Sequence, residues 1–97
     1  MKIEKILASA NRRKILRILS TVNQTNIMDL VHKAKSTYNQ IQSNLKILEK
    51  ESVIIDERKG HLRVIKLNWE NPKAHLLLKA LRMFNELQKE ANNQEQT

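Results

Sequence analysis

Tyr38, Asn39, Gln42 and Ser43, with Lys46 one turn further on, crowd the start of one predicted helix with groups that can hydrogen-bond base edges. Gln and Asn amides can engage adenine in bidentate fashion, and a Tyr ring can meet a thymine methyl or donate to phosphate. An exposed polar helix face can also be merely solvated. A tyrosine beside Asn and Gln at a helix start is unusual for solubility alone, which favours the base-contacting reading. A second group, Arg58, Lys59, His61 and Arg63, surrounds the single glycine, Gly60. It would bring positive charge to phosphates or an adjacent minor groove. Such cations also guard a hairpin against edge pairing, and both uses can hold at once. Arg12, Arg13 and Arg17 could touch a DNA backbone, with at least one of them serving structure.

Other chemistry finds little support. Cysteine is absent, which removes disulfides, thiolate metal sites and cysteine nucleophiles together. His32, His61 and His75 are widely spaced, with no carboxylates at ligand spacing; zinc would find its roughly four ligands only across a dimer. No nucleophile–base pair, phosphate loop or carboxylate dyad stands out, and Ser9, Ser20, Ser36, Ser43 and Ser52 read as caps, turns or surface positions. We expect no catalysis, no metal, no cofactor and no small-molecule substrate.

The elements that must carry these groups follow from periodicity. Residues 2–8 give a short amphipathic helix. Ser9 caps a second, to about Val22, whose Ile15, Leu16, Ile18, Leu19 and Val22 keep helical spacing. The polar stretch 23–26 is a connector ending in an N-cap. Ile27 to about Ala34 is a short helix with Ile27, Leu30 and Val31 inward. Thr37 to Gln40 fits a capping box, Gln40 serving as its reciprocal partner. The helix it opens runs to about Glu51 on a buried stripe of Ile41, Leu45 and Leu48. A short helix, a turn and a longer helix make a helix-turn-helix pattern. Residues 53–55 and 62–67 read as strands of a hairpin whose connector, residues 56–61, needs the positive φ of Gly60. Asn71-Pro72 starts a last helix, to about Ala91, and 92–97 is a polar, frayed tail. That helix carries two apolar stripes, Leu77, Leu81, Phe84 and Gln88 beside Leu76, Met83, Leu87 and Ala91. A helix packing on its own domain needs only one. The excess predicts a two-fold partner, with Leu77, Leu81, Phe84 and Leu87 as interface candidates.

Charge points the same way. The 97 residues carry a formal net charge of +8 and a pI near 10.1, and residues 1–70 hold +7 of it. Such a surface attracts polyanions. No apolar run approaches a membrane span and no signal-peptide core is visible, so we expect an intracellular, soluble protein without a membrane partner.

Leu7 to Leu16, Thr37 to Glu49, and Arg58-Lys59-Gly60-His61, in that order and spacing, resemble winged helix-turn-helix transcription regulators of the ArsR-like and archaeal types. The resemblance covers roughly residues 3–70; the last helix fits the dimerisation helix by position. It implies a mainly α fold with a small β-hairpin wing, a DNA-binding domain over 1–70, a dimerisation helix over 71–91 and a flexible tail over 92–97. It also implies a cytoplasmic, nucleoid- or plasmid-associated homodimer that binds double-stranded DNA as a sequence-specific regulator. Helix 37–51 would read the major groove and wing 56–63 the backbone or minor groove. The alternative within DNA binding is an architectural or partition protein coating DNA with little preference, and outside it a protein-interaction module that keeps the fold. Two departures stand out. Leu30-Val31-His32-Lys33 occupies the place of the thiolate pair of metal-sensing members, and Arg13 stands where an apolar residue is usual.

Overall fold

The computed structural model describes the backbone of residues 1–95 and the side chains of residues 1–89. Five helices and one hairpin follow in the order α1 (Ile3–Ile6), α2 (Ala10–Thr21), α3 (Ile27–Ala34), α4 (Tyr38–Lys50), β1 (Ile54–Lys59), β2 (Leu62–Leu67) and α5 (Pro72–Glu95). This is a mainly α fold with a two-stranded wing, a winged helix-turn-helix. No described helix is long and apolar enough to cross a membrane.

The starts of α2 to α5 are set by side-chain caps that satisfy otherwise orphaned N–H groups. Ser9 accepts from the Arg12 N–H, Asn26 from that of Asp29, and Thr37 from that of Gln40. Thr25 Oγ1 donates to Asp29 at 2.6 Å, and with the Lys33 ammonium it holds that carboxyl below the usual range. The α3–α4 turn begins at Lys35 in the left-handed region (φ 51°), with the Ser36 N–H bonded back to the Val31 carbonyl. That closure fits a three-residue helix-turn-helix corner without a glycine. Ser52 repeats it after α4, its N–H bonding the Glu49 carbonyl and that of Val53 the Leu48 carbonyl.

One core joins all the elements. Ile15, Leu16 and Leu19 of α2 meet Leu30 of α3, the stripe Ile41, Leu45 and Leu48 of α4, Ile65 of β2 and Leu77 of α5, all fully buried. Each such side chain stabilises the fold by about 1.5–3 kcal/mol. Val31, expected inside, is only half-buried at its margin, as are Ile18 and Val22 of the α2 stripe.

The wing differs from its expected outline. The strands pair antiparallel from Ile54↔Leu67 to Lys59↔Leu62, so the connector is only Gly60-His61. Gly60 has φ 63° and His61 is not among the positive-φ residues, the sign pattern of a type II′ turn. Residues 56–59, expected to be connector, are strand; β1 is polar there because both its faces are partly wet. Thr25 adds a further rung, exchanging two 2.8 Å backbone bonds with Ile65. The connector before α3 thereby covers the second edge of β2.

Asn71 Oδ1 accepts from the Lys73 N–H and caps α5, while its Nδ2 and that of Asn68 both donate to the Ser52 carbonyl. The long helix is thus fastened to the turn that ends α4. It runs four residues beyond the expected end near Ala91, so residues 92–95 are helical rather than tail; residues 96 and 97, and the Ala91 side chain, lie outside the described parts.

Candidate nucleic-acid interface

Tyr38, Asn39, Ser43 and Lys46 are exposed together along α4, the second helix of the motif, and Gln42 is half-buried on the side facing the wing. The Thr37 cap starts the helix one residue before Tyr38, which leaves Tyr38 and Asn39 in the first turn with 47% of the Tyr38 surface open. Ser43 Oγ donates to the Asn39 carbonyl at 2.8 Å, so its hydroxyl proton is used within the helix and its oxygen remains as an acceptor. Gln40 does not complete the capping box. Its Oε1 accepts from Ser36 Oγ (2.8 Å) and Asn11 Nδ2 (3.3 Å), tying the turn to α2 instead of returning to the Thr37 N–H.

Arg58, Lys59 and His61 are exposed at the wing tip, as expected. Arg63 is not a free cation. Its Nε and Nη2 grip the two Asp56 oxygens at 2.8 and 2.6 Å, and its Nη1 donates to Gln42 Oε1 at 2.6 Å. The cause lies in the register. Arg63 stands directly opposite Arg58, an unfavourable like-charge pairing, and Asp56 is its diagonal neighbour. Asp56 neutralises it across the hairpin, and that hydrogen-bonded carboxylate raises the Arg63 pKa further above its ordinary value despite desolvation. Tyr38, Gln42, Lys46, Arg58 and Arg63 line one cleft between α4 and the wing. Asp56 closes it; no local pattern singled that residue out, although its two-residue offset across the hairpin is the signal that could have.

Two of the three α2 arginines are structural. Arg12 donates to the carbonyls of Ile6 and Lys5 and to Asn44 Oδ1, each at 2.8 Å, and so locks the end of α1 to α4 through a buried amide. Arg13 donates to the Leu7 carbonyl and lies over the Phe84 ring at 4.8 Å, which explains a cation where the resemblance leads one to expect an apolar residue. Arg17 is exposed and makes no ion pair among the described residues. Arg12→Ala should cost roughly 1.5–3 kcal/mol, the scale of charge-assisted bonds, because Asn44 Oδ1 loses its charged donor and keeps only the 3.4 Å bond from Ser9 Oγ. Urea denaturation measures it, and a midpoint unchanged from the parent would show that the network contributes nothing.

No group of His and carboxylate side chains able to hold a metal occurs among the described residues. His75 Nε2 instead contacts the Trp69 carbonyl at 2.6 Å. Of the expected dimer residues, Leu77 and Leu81 are buried in their own core, Phe84 is half-buried under Arg13, and Leu87 is 64% exposed. The open stripe of α5 is Leu76, Met83 and Leu87. Leu77 and Leu81 are therefore corrected to core positions, since the α5 face they share packs on α2.

No protein-family model matches the chain, and no curated protein matches it in sequence. Solved structures do. The AntR antimony-specific transcriptional repressor superposes with a TM-score of 0.76 at 20% identity, over 94% of this chain and 78% of that one. The homodimeric winged helix-turn-helix domain of Mb0332 from Mycobacterium bovis, a possible ArsR-family regulator, gives 0.66 at 16%, over 91% and 76%. NadR in complex with 4-hydroxyphenylacetate gives 0.63 at 20%, over 97% and 72%. None of these three bears on the archaeal part of the resemblance. What the chain shares with them is the winged helix-turn-helix fold.

Proposed function

We propose that the chain is a duplex-DNA-binding transcription regulator acting as a homodimer, with no catalytic step. The observation that carries this reading is the joint exposure of Tyr38, Asn39, Ser43 and Lys46 on the second helix of the motif, beside a wing ending in Arg58, Lys59 and His61. In such motifs the second helix enters the major groove and its N-terminal side chains reach base edges. The wing cations follow the backbone or the neighbouring minor groove. The net +7 of residues 1–70 supplies the sequence-independent attraction. The homodimer of Mb0332 supports pairing, and the open stripe of α5 offers a surface for it. A regulator of this kind works in the cytoplasm, where the DNA is.

Affinity for duplex DNA should fall about 10³–10⁵-fold between roughly 50 and 200 mM salt if six to ten phosphates are neutralised. Fluorescence anisotropy across that range measures it. A flat response, or no binding at the low end, would refute the proposal. Equal affinity for every sequence would make the chain a coating protein instead.

A further inference from the structure

We infer that Lys14, Arg17 and Lys35 form a second phosphate-binding surface on the flank of α4 opposite the wing, so that one subunit grips both backbones that border the major groove. This rests on the reading that α4 enters the groove. Successive residues of a helix point about 100° apart, so Gln40 and Gln42 leave α4 on nearly opposite sides, about 200° from one another. Gln42 marks the side bonded to the wing through Arg63, and Gln40 the side bonded to α2 through Asn11 Nδ2 at 3.3 Å. Asn39, Ser43 and Lys46 lie in the arc between them, and all three are exposed. The base-reading face is therefore bordered by the hairpin on one side and by α2 with the α3–α4 turn on the other.

That second border is cationic. Lys14, Arg17, Lys33 and Lys35 surround one hollow between α2 and the end of α3. Lys33 is neutralised by Asp29 at 3.1 Å, whereas Lys14, Arg17 and Lys35 are exposed and make no ion pair among the described residues. Lys14 Nζ donates to the Ala34 carbonyl at 3.3 Å, a helix-end contact that accounts for one cation and brings it beside Lys35. The Arg17 guanidinium makes no hydrogen bond among the described residues. Lys35 ends α3 in the left-handed region, three residues before Tyr38. Unpaired like charges around one hollow repel each other, and an anion seated among them relieves that repulsion. A duplex backbone supplies such anions, and it does so on both sides of a helix lying in the major groove. The wing cations Arg58 and Lys59 serve one wall, and these three serve the other.

The test is ethylation interference on a duplex selected from a random pool, with salt titrations of the same proteins and circular dichroism to confirm that each variant folds. Phosphates whose ethylation blocks the parent should fall in two groups, one on each side of the groove that α4 occupies. Arg17→Gln with Lys35→Asn should lose one group, and Arg58→Ala with Lys59→Ala the other; asparagine suits the left-handed backbone that Lys35 occupies. The Arg17/Lys35 pair should also flatten the slope of log affinity against log salt by roughly 1.8, and Arg17→Gln alone by about half of that, on selected and scrambled duplexes alike. Lys2→Gln with Lys5→Gln removes the same amount of charge from α1 and should leave both groups and the slope in place. Interference confined to the wing side in the parent would overturn the inference while leaving DNA reading intact. So would an unchanged slope in the Arg17/Lys35 variant, or an equal flattening by the α1 pair, which would make the effect one of net charge. A parent that binds no duplex at about 50 mM salt would overturn the groove reading itself, and this inference with it.

Discussion

Glutamate at both Leu77 and Leu81 should abolish folding, whereas glutamate at both Met83 and Leu87 should leave a folded monomer. Leu77 is fully buried and Leu81 nearly so, against a core shared with α2 and the wing. A carboxylate there must stay charged in an apolar setting or take up a proton, and either route costs several kcal/mol per site. Two such sites approach the whole stability of a small domain, about 5–15 kcal/mol. Met83 and Leu87 are 58% and 64% exposed, so the same change costs the isolated subunit little. With Leu76 they form the open stripe. Leu7, Ala8, Ala80 and Phe84 join Met83 and Leu87 around an apolar hollow at its edge. An apolar surface of that extent is a liability unless a partner covers it, and a second α5 about a two-fold axis would do so. Losing the partner also removes the second recognition helix. Binding to a two-half-site duplex should then weaken by about 10²–10⁴-fold through lost avidity. Sedimentation with circular dichroism separates the cases. A parent protein that sediments as a monomer at micromolar concentration, or a Met83/Leu87 variant that stays dimeric, would refute the assignment.

Both stripes of α5 were legible in the sequence; the choice between them was not. Helical spacing shows that Leu77 and Leu81 share a face and that Met83 and Leu87 share another, but the face that turns inward depends on how α5 leaves the wing. That exit is fixed by Asn68 and Asn71 on the Ser52 carbonyl, contacts across 16 and 19 residues. The same divide runs through the molecule. Caps at Ser9, Asn26, Thr37 and Asn71 are local, and so the helix starts were readable. The stripe Ile41, Leu45 and Leu48 is periodic, and so the buried side of α4 was readable too. By contrast, the polar half of β1 lacks the alternation that betrays a strand, and Thr25 joins the sheet through backbone groups that carry no sequence signal. Arg12 on Asn44 and Arg63 on Asp56 look like spare cations in a list of residues. Only tertiary pairing shows that their charge is already engaged.

That engagement separates the wing residues experimentally. Arg58→Ala with Lys59→Ala should weaken binding to a selected site and to a scrambled one by the same factor. Each phosphate contact contributes about 0.9 to the slope of log affinity against log salt, so removing two should flatten the slope by roughly 1.8. Over a fourfold rise in salt, that is about a tenfold smaller loss of affinity. Arg63→Gln should leave the slope unchanged, because Asp56 already neutralises Arg63 and no phosphate contact disappears with it. Asn39→Ala should do the reverse of the wing pair. Its exposed amide in the first turn of α4 is placed for a base edge, so the selected site should weaken by about 1–3 kcal/mol relative to the scrambled one, at an unaltered slope. Salt titrations of all three variants on both duplexes give the answer. A slope that falls by about one in Arg63→Gln would mean that the guanidinium leaves Asp56 for phosphate when DNA arrives. Equal losses on both duplexes for Asn39→Ala would remove Asn39 from the base-reading set and return it to the solvated face of the helix.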